Sequence, residues 1–140
     1  MRLIIFSDGA SRGNPGPAAA GAVLQNEAEE IVGTVSRFLG SATNNQAEYA
    51  ALILALKKAH ELRATELMIF LDSKLIVEQI SGRWKIKDLQ LKKAAEKVHT
   101  LLKEFNSWQI QHVFREKNKK ADMLANQALN ARGFKKSAFP

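Results

Sequence analysis

Four carboxylate residues of this sequence stand where apolar runs begin or end: Asp8, Glu48, Asp72 and Asp122. Carboxylates that converge on one point repel each other unless divalent cations neutralise them. Hard oxygen ligands of this kind suit Mg²⁺ or Mn²⁺, which promote phosphoryl transfer on polyanionic substrates. Each residue also has an ordinary explanation, because acidic side chains are common in turns, at caps and in first helical turns. The residues alone therefore make a metal site a hypothesis.

The composition restricts the chemistry further. The 140-residue chain has no cysteine and only three scattered histidines, so disulfide scaffolds, thiolate zinc sites and cysteine nucleophiles are excluded. Its net charge of +7 favours a polyanionic partner. Residues 1–60 hold five basic and five acidic side chains, whereas residues 61–140 hold sixteen and nine. We expect the second half of the chain to carry the surface that meets the polyanion.

Length and hydropathy predict a single domain over residues 1–133, followed by a short tail at residues 134–140. The hydrophobic fraction of 46% is ample for one core. No apolar run approaches the ~20 residues that cross a bilayer, and no cleavage site of small residues follows the first apolar run. We therefore expect a soluble, cytoplasmic monomer that does not bind membranes.

The periodicity of apolar residues predicts a mixed α/β chain with the element order βββαβααβα. The predicted strands cover residues 3–6, 18–25, 31–38, 66–71 and 108–114, and the predicted helices cover 43–62, 73–80, 91–105 and 123–131. Thr43 and Gln46 form the pattern of a capping box, which places Glu48 in the first turn of the first helix. Asp8 and Asp72 are expected at strand ends. The order implies a mixed five-stranded sheet with helices packed on it, and ligand sites gather at strand ends in such sheets.

Four segments around the carboxylates resemble the type 1 ribonuclease H family. They read DGASRGNPGP at 8–17, TNNQAEY at 43–49, DSKLIV and QISGRW between 72 and 84, and N and ADMLAN between 118 and 126. The segments follow the family's order and spacing, and the resemblance covers nearly the whole chain, from Arg2 to about Arg132. It implies the ribonuclease H-like fold, in agreement with the order predicted from periodicity.

The resemblance further implies a metal-dependent endonuclease that hydrolyses the RNA strand of RNA/DNA hybrids and leaves 5′-phosphate and 3′-hydroxyl ends. Its metal ligands would be the four carboxylates, which would hold two Mg²⁺ ions for which Mn²⁺ can substitute. By this analogy Asp8 bridges the ions, and Asp122 completes the site of the ion that activates water. Glu48 and Asp72 hold the ion beside the leaving 3′ oxygen.

A set of polar residues is implied to bind the hybrid: Asn14, Thr43, Asn44, Asn45 and Gln46. In the family the matching amide side chains contact 2′-hydroxyls, and Thr43 matches a residue that holds a phosphate of the DNA strand. Recognition of 2′-hydroxyls and groove shape needs no base contacts, so little sequence preference is expected. Turn and capping chemistry is the alternative explanation for these residue types.

The loop before Asp122 departs from the family pattern. The best-known family members carry a histidine in this loop, whereas the present chain has none there and offers Arg115 or Glu116 as the nearest polar candidates. We expect Arg115 to be the catalytic residue of the two. It would act as a fixed cation on a phosphate, because a guanidinium cannot serve as a general base.

The basic handle that many bacterial members insert after the segment ending in Trp84 is also missing. We expect hybrid contacts instead from a basic group made of Arg83, Trp84, Lys85 and Lys87. The alternatives are a solvated basic surface and a tryptophan that packs against the core.

Two other functions stay open at this point. One is a nuclease of the same superfamily with a broader range that includes double-stranded RNA or RNA–DNA junctions. The other is a non-catalytic nucleic-acid-binding module. That module predicts the loss of at least one of the four carboxylates, and all four are present.

Overall fold

The structure, a computed structural model, describes residues 1–134, so that the predicted tail beyond Phe134 lies outside the described residues. The strands are β1 Arg2–Ser11, β2 Gly16–Gln25, β3 Ile31–Ala42, β4 Glu66–Leu71 and β5 Ser107–His112. The helices are α1 Asn44–Glu61, α2 Lys74–Ile80, α3 Leu89–Leu102 and α4 Lys119–Ala131, with a 3₁₀ turn at Arg115–Lys117. The predicted order of strands and helices is confirmed.

The five strands form one mixed sheet in the order β3-β2-β1-β4-β5. β1, β2 and β3 form an antiparallel meander, while β4 runs parallel to β1 and β5 runs parallel to β4. The pairing of β1 with β4 ends at Ser7 and Leu71, so Asp8 and Asp72 are the next residues of two adjacent chain segments. This mixed five-stranded sheet confirms the predicted fold class.

Helices cover both faces of the sheet. Leu3 and Ile5, on one face of β1, are fully buried in a core cluster that also contains residues of α1, α2 and α3. α4 packs on the other face, over β2, β1 and β3. Among the described residues, none of the helices combines the length and the apolar composition that crossing a membrane requires.

Two glycines let α1 and α4 approach the backbone of the sheet. A Cβ atom on Gly9 would collide with the backbone of α1 at Ala47 and Glu48. A Cβ atom on Gly21, which pairs with Asp8 in the sheet, would collide with the backbone of α4 at Ala121. The two missing side chains therefore let both helices bring their own acidic residues close to Asp8.

Several element boundaries differ from the sequence prediction, including those of β1, α1 and β5. β1 continues past Asp8 because this segment still pairs with β2, so Asp8 lies inside a strand rather than at its tip. α1 begins at Asn44, which places Glu48 at its fifth residue, beyond the first turn. β5 ends at His112, and Phe114 is 75% exposed because the chain has left the sheet before it.

We expect Gly21→Ala to lower the free energy of unfolding by roughly 1–3 kcal/mol, because the added methyl group must displace α4 from the sheet. Gly33→Ala is the matched control, since its methyl group would meet only side-chain atoms of Leu62 and Lys58, which can move. Urea unfolding of both variants measures the difference. If both variants lost the same free energy of unfolding, the backbone of α4 would restrict Gly21 no more than movable side chains restrict Gly33.

Candidate active site

Three of the predicted carboxylates meet beyond the end of the β1–β4 pairing. One oxygen from each of Asp8, Glu48 and Asp72 lies within 4.8 Å of the other two. The adjoining strands place Asp8 and Asp72, and α1 places Glu48. The start of α1 is fixed by the predicted capping box, in which the Gln46 N–H donates to Thr43 Oγ1 and the Thr43 N–H donates to Gln46 Oε1. The fold thus gathers three like charges in a small volume.

Burial and mutual repulsion make these carboxyl groups hard to ionise. Burial raises the pKa of Asp8 from 3.8 to about 7, and the charges of Asp72 and Asp122 add to the shift while a hydrogen bond with Glu48 opposes it. Burial and the charge of Asp8 raise the pKa of Glu48 well above its ordinary value. The Oε2 atom of Glu48 is buried and has no hydrogen-bond partner. A donor set of this kind fits a hard divalent cation, which would bind the free oxygen and neutralise the charge.

Asp122 reaches the same cleft from the first turn of α4. The cleft has a volume of about 430 Å³ and is lined by all four predicted carboxylates. Asp122 lies outside the cluster of three, but its charge contributes to the raised pKa of both Asp8 and Asp72. One of its carboxylate oxygens accepts a hydrogen bond from Asn126 at 3.1 Å.

Arg115 is the positively charged residue that acts most strongly on Asp72. Burial raises the pKa of Asp72, while a hydrogen bond from Asn118 and the charge of Arg115 act in the opposite direction. Arg115 lies in the 3₁₀ turn before α4 and lines the carboxylate cleft. Glu116 lines a separate cavity together with Lys117. Of the two loop residues that the sequence offers, the structure therefore places Arg115 at the carboxylates.

The predicted amide residues surround the start of α1. Asn44 lines the cleft, and its backbone N–H donates to Asn14 Oδ1 at 3.1 Å. Gln46 is held by the capping box and by a hydrogen bond from its Nε2 to Gln90 Oε1 at 2.9 Å. Asn45 lies on the same turn and is half-buried. Capping chemistry thus explains Gln46 locally, whereas the exposed Asn44 borders the carboxylates.

The predicted basic group lies in the connection between α2 and α3. Arg83 forms a bidentate ion pair with Glu78, with distances of 2.5 Å for Nε–Oε2 and 3.2 Å for Nη2–Oε1. This pairing reduces the charge that Arg83 offers to a polyanion. Trp84 is 46% exposed and is not part of the core, and Lys85 and Lys87 are exposed. The free charge of the group therefore resides mainly on its two lysines.

Sequence reasoning assigned no role to Asn118, Asn126 or Arg12, yet all three contact the site. Asn118 is 1% exposed and donates from Nδ2 to the Ser7 carbonyl at 2.8 Å, which ties the start of α4 to β1. Asn126 lies four residues after Asp122, a helical spacing that could have revealed it. Arg12 donates to Asn126 Oδ1 at 2.6 Å, a contact across 114 positions that no local pattern shows.

A mixed five-stranded sheet with helices on both faces and a cleft of four carboxylates defines a ribonuclease H-like protein. The family model described as "Reverse transcriptase-like" matches residues 6–128. Ribonuclease HI of Halobacterium salinarum is 44% identical over 129 residues, which cover 92% of this chain and 65% of that protein. The chain spans from 36% to 65% of the length of the first curated relatives that it matches.

Solved structures agree with this assignment. The crystal structure of RNase H1 from Halobacterium salinarum matches with a TM-score of 0.92 at 44% identity, covering 94% of this chain and 99% of that one. LC11-RNase H1 in complex with an RNA/DNA hybrid matches with a TM-score of 0.89 at 37% identity, covering 93% and 98%. This chain belongs to the type 1 ribonuclease H family.

Without metal, we expect the unfolding free energy of the protein to fall as the pH rises from about 4 to about 7. The reason is that the unfolded chain releases the Asp8 proton at a lower pH than the folded chain does. Asp8→Asn lacks the part of this loss that comes from Asp8. The variant should therefore match the wild type near pH 4 and exceed its stability by roughly 1–4 kcal/mol near pH 7.5. Urea unfolding in EDTA at several pH values measures the difference.

Added Mg²⁺ should then stabilise the wild type more than Asp8→Asn, because an ion that binds only the folded site shifts unfolding by mass action. Glu96→Gln, which neutralises an exposed carboxylate on α3, is the control and should keep the wild-type pH dependence. A stability difference between wild type and Asp8→Asn that stays constant from pH 4 to pH 7.5 would contradict the buried, repelling cluster.

Proposed function

We propose that this chain is a metal-dependent endoribonuclease that hydrolyses the RNA strand of RNA/DNA hybrids and leaves 5′-phosphate and 3′-hydroxyl ends. The observation that carries the proposal is a cleft lined by four carboxylates, in a chain of this family: Asp8, Glu48, Asp72 and Asp122. The related protein whose structure contains an RNA/DNA hybrid supports the choice of substrate.

The carboxylates hold the cations in this proposal. Two Mg²⁺ ions, with Mn²⁺ as a substitute, would neutralise charge on the scissile phosphate and lower the pKa of the attacking water. Asp8 lies in the tight cluster with Glu48 and Asp72, and it is close enough to Asp122 for that charge to raise its pKa. This central position suits Asp8 for contact with both ions.

Arg115 contributes a permanent positive charge at the rim of the same cleft. Its guanidinium group has donors in a fork that matches phosphate oxygens, and it keeps its proton at every physiological pH. In the proposed enzyme Arg115 holds a phosphate of the substrate or product, and the proton of the attacking water is not transferred to it.

Recognition of the RNA strand rests on uncharged polar groups beside the carboxylates. The side-chain amides of Asn14, Asn44 and Asn45 can both donate and accept, as a 2′-hydroxyl does. Thr43 Oγ1 already accepts the Gln46 N–H, which leaves the hydroxyl proton of Thr43 to donate to a phosphate. Gln46 then acts mainly by fixing the start of α1, since both ends of its amide are engaged.

Exposed basic residues extend the binding surface beyond the cleft. Lys85 and Lys87 lie in the α2–α3 connection, where ammonium groups can contact phosphates without reading sequence. Trp84 offers an exposed indole beside them. Arg83 contributes less to the attraction of a polyanion, because Glu78 neutralises its charge.

A broader substrate range is the second candidate. The connection between α2 and α3 is short, at residues 81–88, and therefore offers only a few basic side chains to a polyanion. Contacts to phosphate from a few lysines do not distinguish a hybrid from double-stranded RNA. The monomeric state and the cytoplasmic location stay predictions from the sequence.

A substrate panel tests the proposal. Labelled RNA/DNA hybrid, double-stranded RNA, an RNA–DNA junction and duplex DNA are incubated with the protein in Mg²⁺, Mn²⁺ or EDTA. We expect cleavage of the RNA strand of the hybrid with either metal, no cleavage in EDTA, and none of duplex DNA. Asp72→Asn should abolish cleavage with its fold intact, because the metal site loses a ligand. Near-native cleavage by this variant, with Glu96→Gln as the control, would overturn the assignment.

Replacing Arg115 tests whether its charge contributes to turnover independently of metal binding. Arg115→Ala should lower turnover by roughly 10- to 1,000-fold, the scale of losing one charge-stabilising donor, and should leave metal binding intact. Arg115→Lys should recover part of the loss. Glu116→Ala is the matched control, because Glu116 lines a different cavity. Wild-type rates for Arg115→Ala in both single-turnover and steady-state assays would mean that Arg115 is only a surface charge.

A further inference from the structure

Asp122 is held differently from the other carboxylates of the cleft. Asp8 lies inside a strand and Asp72 directly follows one. Glu48 lies in α1, whose start is held by a capping box, whereas Asp122 lies in the first turn of α4. The N-cap residue of that helix, Asn118, forms no side-chain capping bond. Asp122 is also half-buried and lies outside the cluster of three. Its side chain therefore depends on a further contact to keep one rotamer.

Asn126 makes that contact from the next turn of α4. Its Nδ2 donates to Asp122 Oδ1 at 3.1 Å and to the Asp122 carbonyl at 2.9 Å. Residues four apart share one helix face, so the contact needs no distortion of the helix. Because the amide engages one carboxylate oxygen, the second oxygen of Asp122 is left for a ligand in the cleft.

Arg12 determines how the Asn126 amide is oriented. Arg12 Nη2 donates to Asn126 Oδ1 at 2.6 Å, and Arg12 Nη1 donates to the Phe134 carbonyl at 2.5 Å. A guanidinium group has donors only, so the amide must turn its oxygen to Arg12 and its NH₂ group to Asp122. The backbone of Arg12 is itself fixed, because its N–H donates to the Pro17 carbonyl at 2.8 Å.

We propose that Arg12 and Asn126 form a positioning pair that orients the Asp122 carboxylate for cation binding. This inference rests on the proposed function of the cleft. Residues that orient a metal ligand typically affect metal affinity or activity by about 10- to 100-fold. Arg12 also lines the cleft, but its two side-chain hydrogen bonds are made to Asn126 of α4 and to Phe134, which lies beyond the end of that helix. It therefore acts through Asn126 rather than on the substrate.

Metal binding without substrate is the first test. Mn²⁺ is titrated into the full chain, and free Mn²⁺ is followed by its electron paramagnetic resonance signal. Asn126→Ala should raise the Mn²⁺ dissociation constant about 10-fold. Asn130→Ala is the matched control, since it removes an exposed amide one turn further along α4 and should bind Mn²⁺ as the wild type does. Thermal unfolding of each variant verifies that the fold is kept.

A double-mutant cycle tests whether Arg12 acts through Asn126. Arg12→Ala should weaken Mn²⁺ binding less than Asn126→Ala does, because the Asn126 amide is still present but is free to flip. The double variant should lose no more than Asn126→Ala alone, as expected for two residues of one unit. Arg12→Lys, which restores a donor, should recover part of the affinity. If Arg12 instead contacted the substrate, Arg12→Ala would raise KM, leave Mn²⁺ binding unchanged, and add its full loss in the double variant.

Cleavage of the hybrid gives the second readout. At low Mg²⁺, Asn126→Ala should lose about 10- to 100-fold in turnover and recover part of it as Mg²⁺ is raised. Wild-type Mn²⁺ affinity and wild-type turnover in Asn126→Ala would overturn the positioning pair. If Asn126→Ala fails to fold, the same two measurements on Arg12→Ala test the positioning pair. A wild-type protein that binds Mn²⁺ but does not cut the hybrid would contradict the proposed function, while the Mn²⁺ titrations would still test the pair.

Discussion

Negative charge gathered around Asp8 is the constraint on which the rest of the structure depends. Asp8, Glu48 and Asp72 would move apart in a flexible chain, because burial and repulsion both disfavour their ionised forms. They stay together because backbone contacts between the strands and helices hold the segments that carry them. Strand pairing fixes two of them, and the glycines Gly9 and Gly21 let the helices close on the sheet. Backbone contacts of this kind cannot relax by changing a rotamer.

The cluster also illustrates how a local loss of stability can serve a site. A chain optimised for stability alone would not leave the Oε2 atom of Glu48 buried without a partner. The folded protein tolerates this because a continuous core lies beside it, in which side chains such as Leu52 and Ile69 are fully buried. Cations would bring back part of the lost stability, since they bind the folded arrangement and not the unfolded chain. Folding and metal loading are therefore linked through the same few oxygens.

Local patterns could be predicted from the sequence, and contacts between remote residues could not. The capping box of Thr43 and Gln46 spans three residues, so its letters alone indicate it. Asp8 followed by glycine is typical of a turn, and the expected strand end was wrong because pairing with β2, a tertiary interaction, carries the strand onward. The contact of Arg12 with Asn126 depends on how α4 docks on the sheet. The fold class follows from periodicity, whereas the partners of individual arginines follow from packing.

The arginines of this chain show why net charge is a poor guide to where a polyanion binds. Arg83 lies in the most basic segment, yet Glu78 neutralises it, and Arg12 lines the cleft while its donors serve α4. Arg115 is different, because it lines the cleft and its charge opposes the rise in the pKa of Asp72 that burial causes. A polyanion that approaches the cleft meets acidic groups that repel it until cations are bound. Attraction must therefore come from charges outside the cleft. Close contact between the polyanion and the carboxylates then requires bound cations.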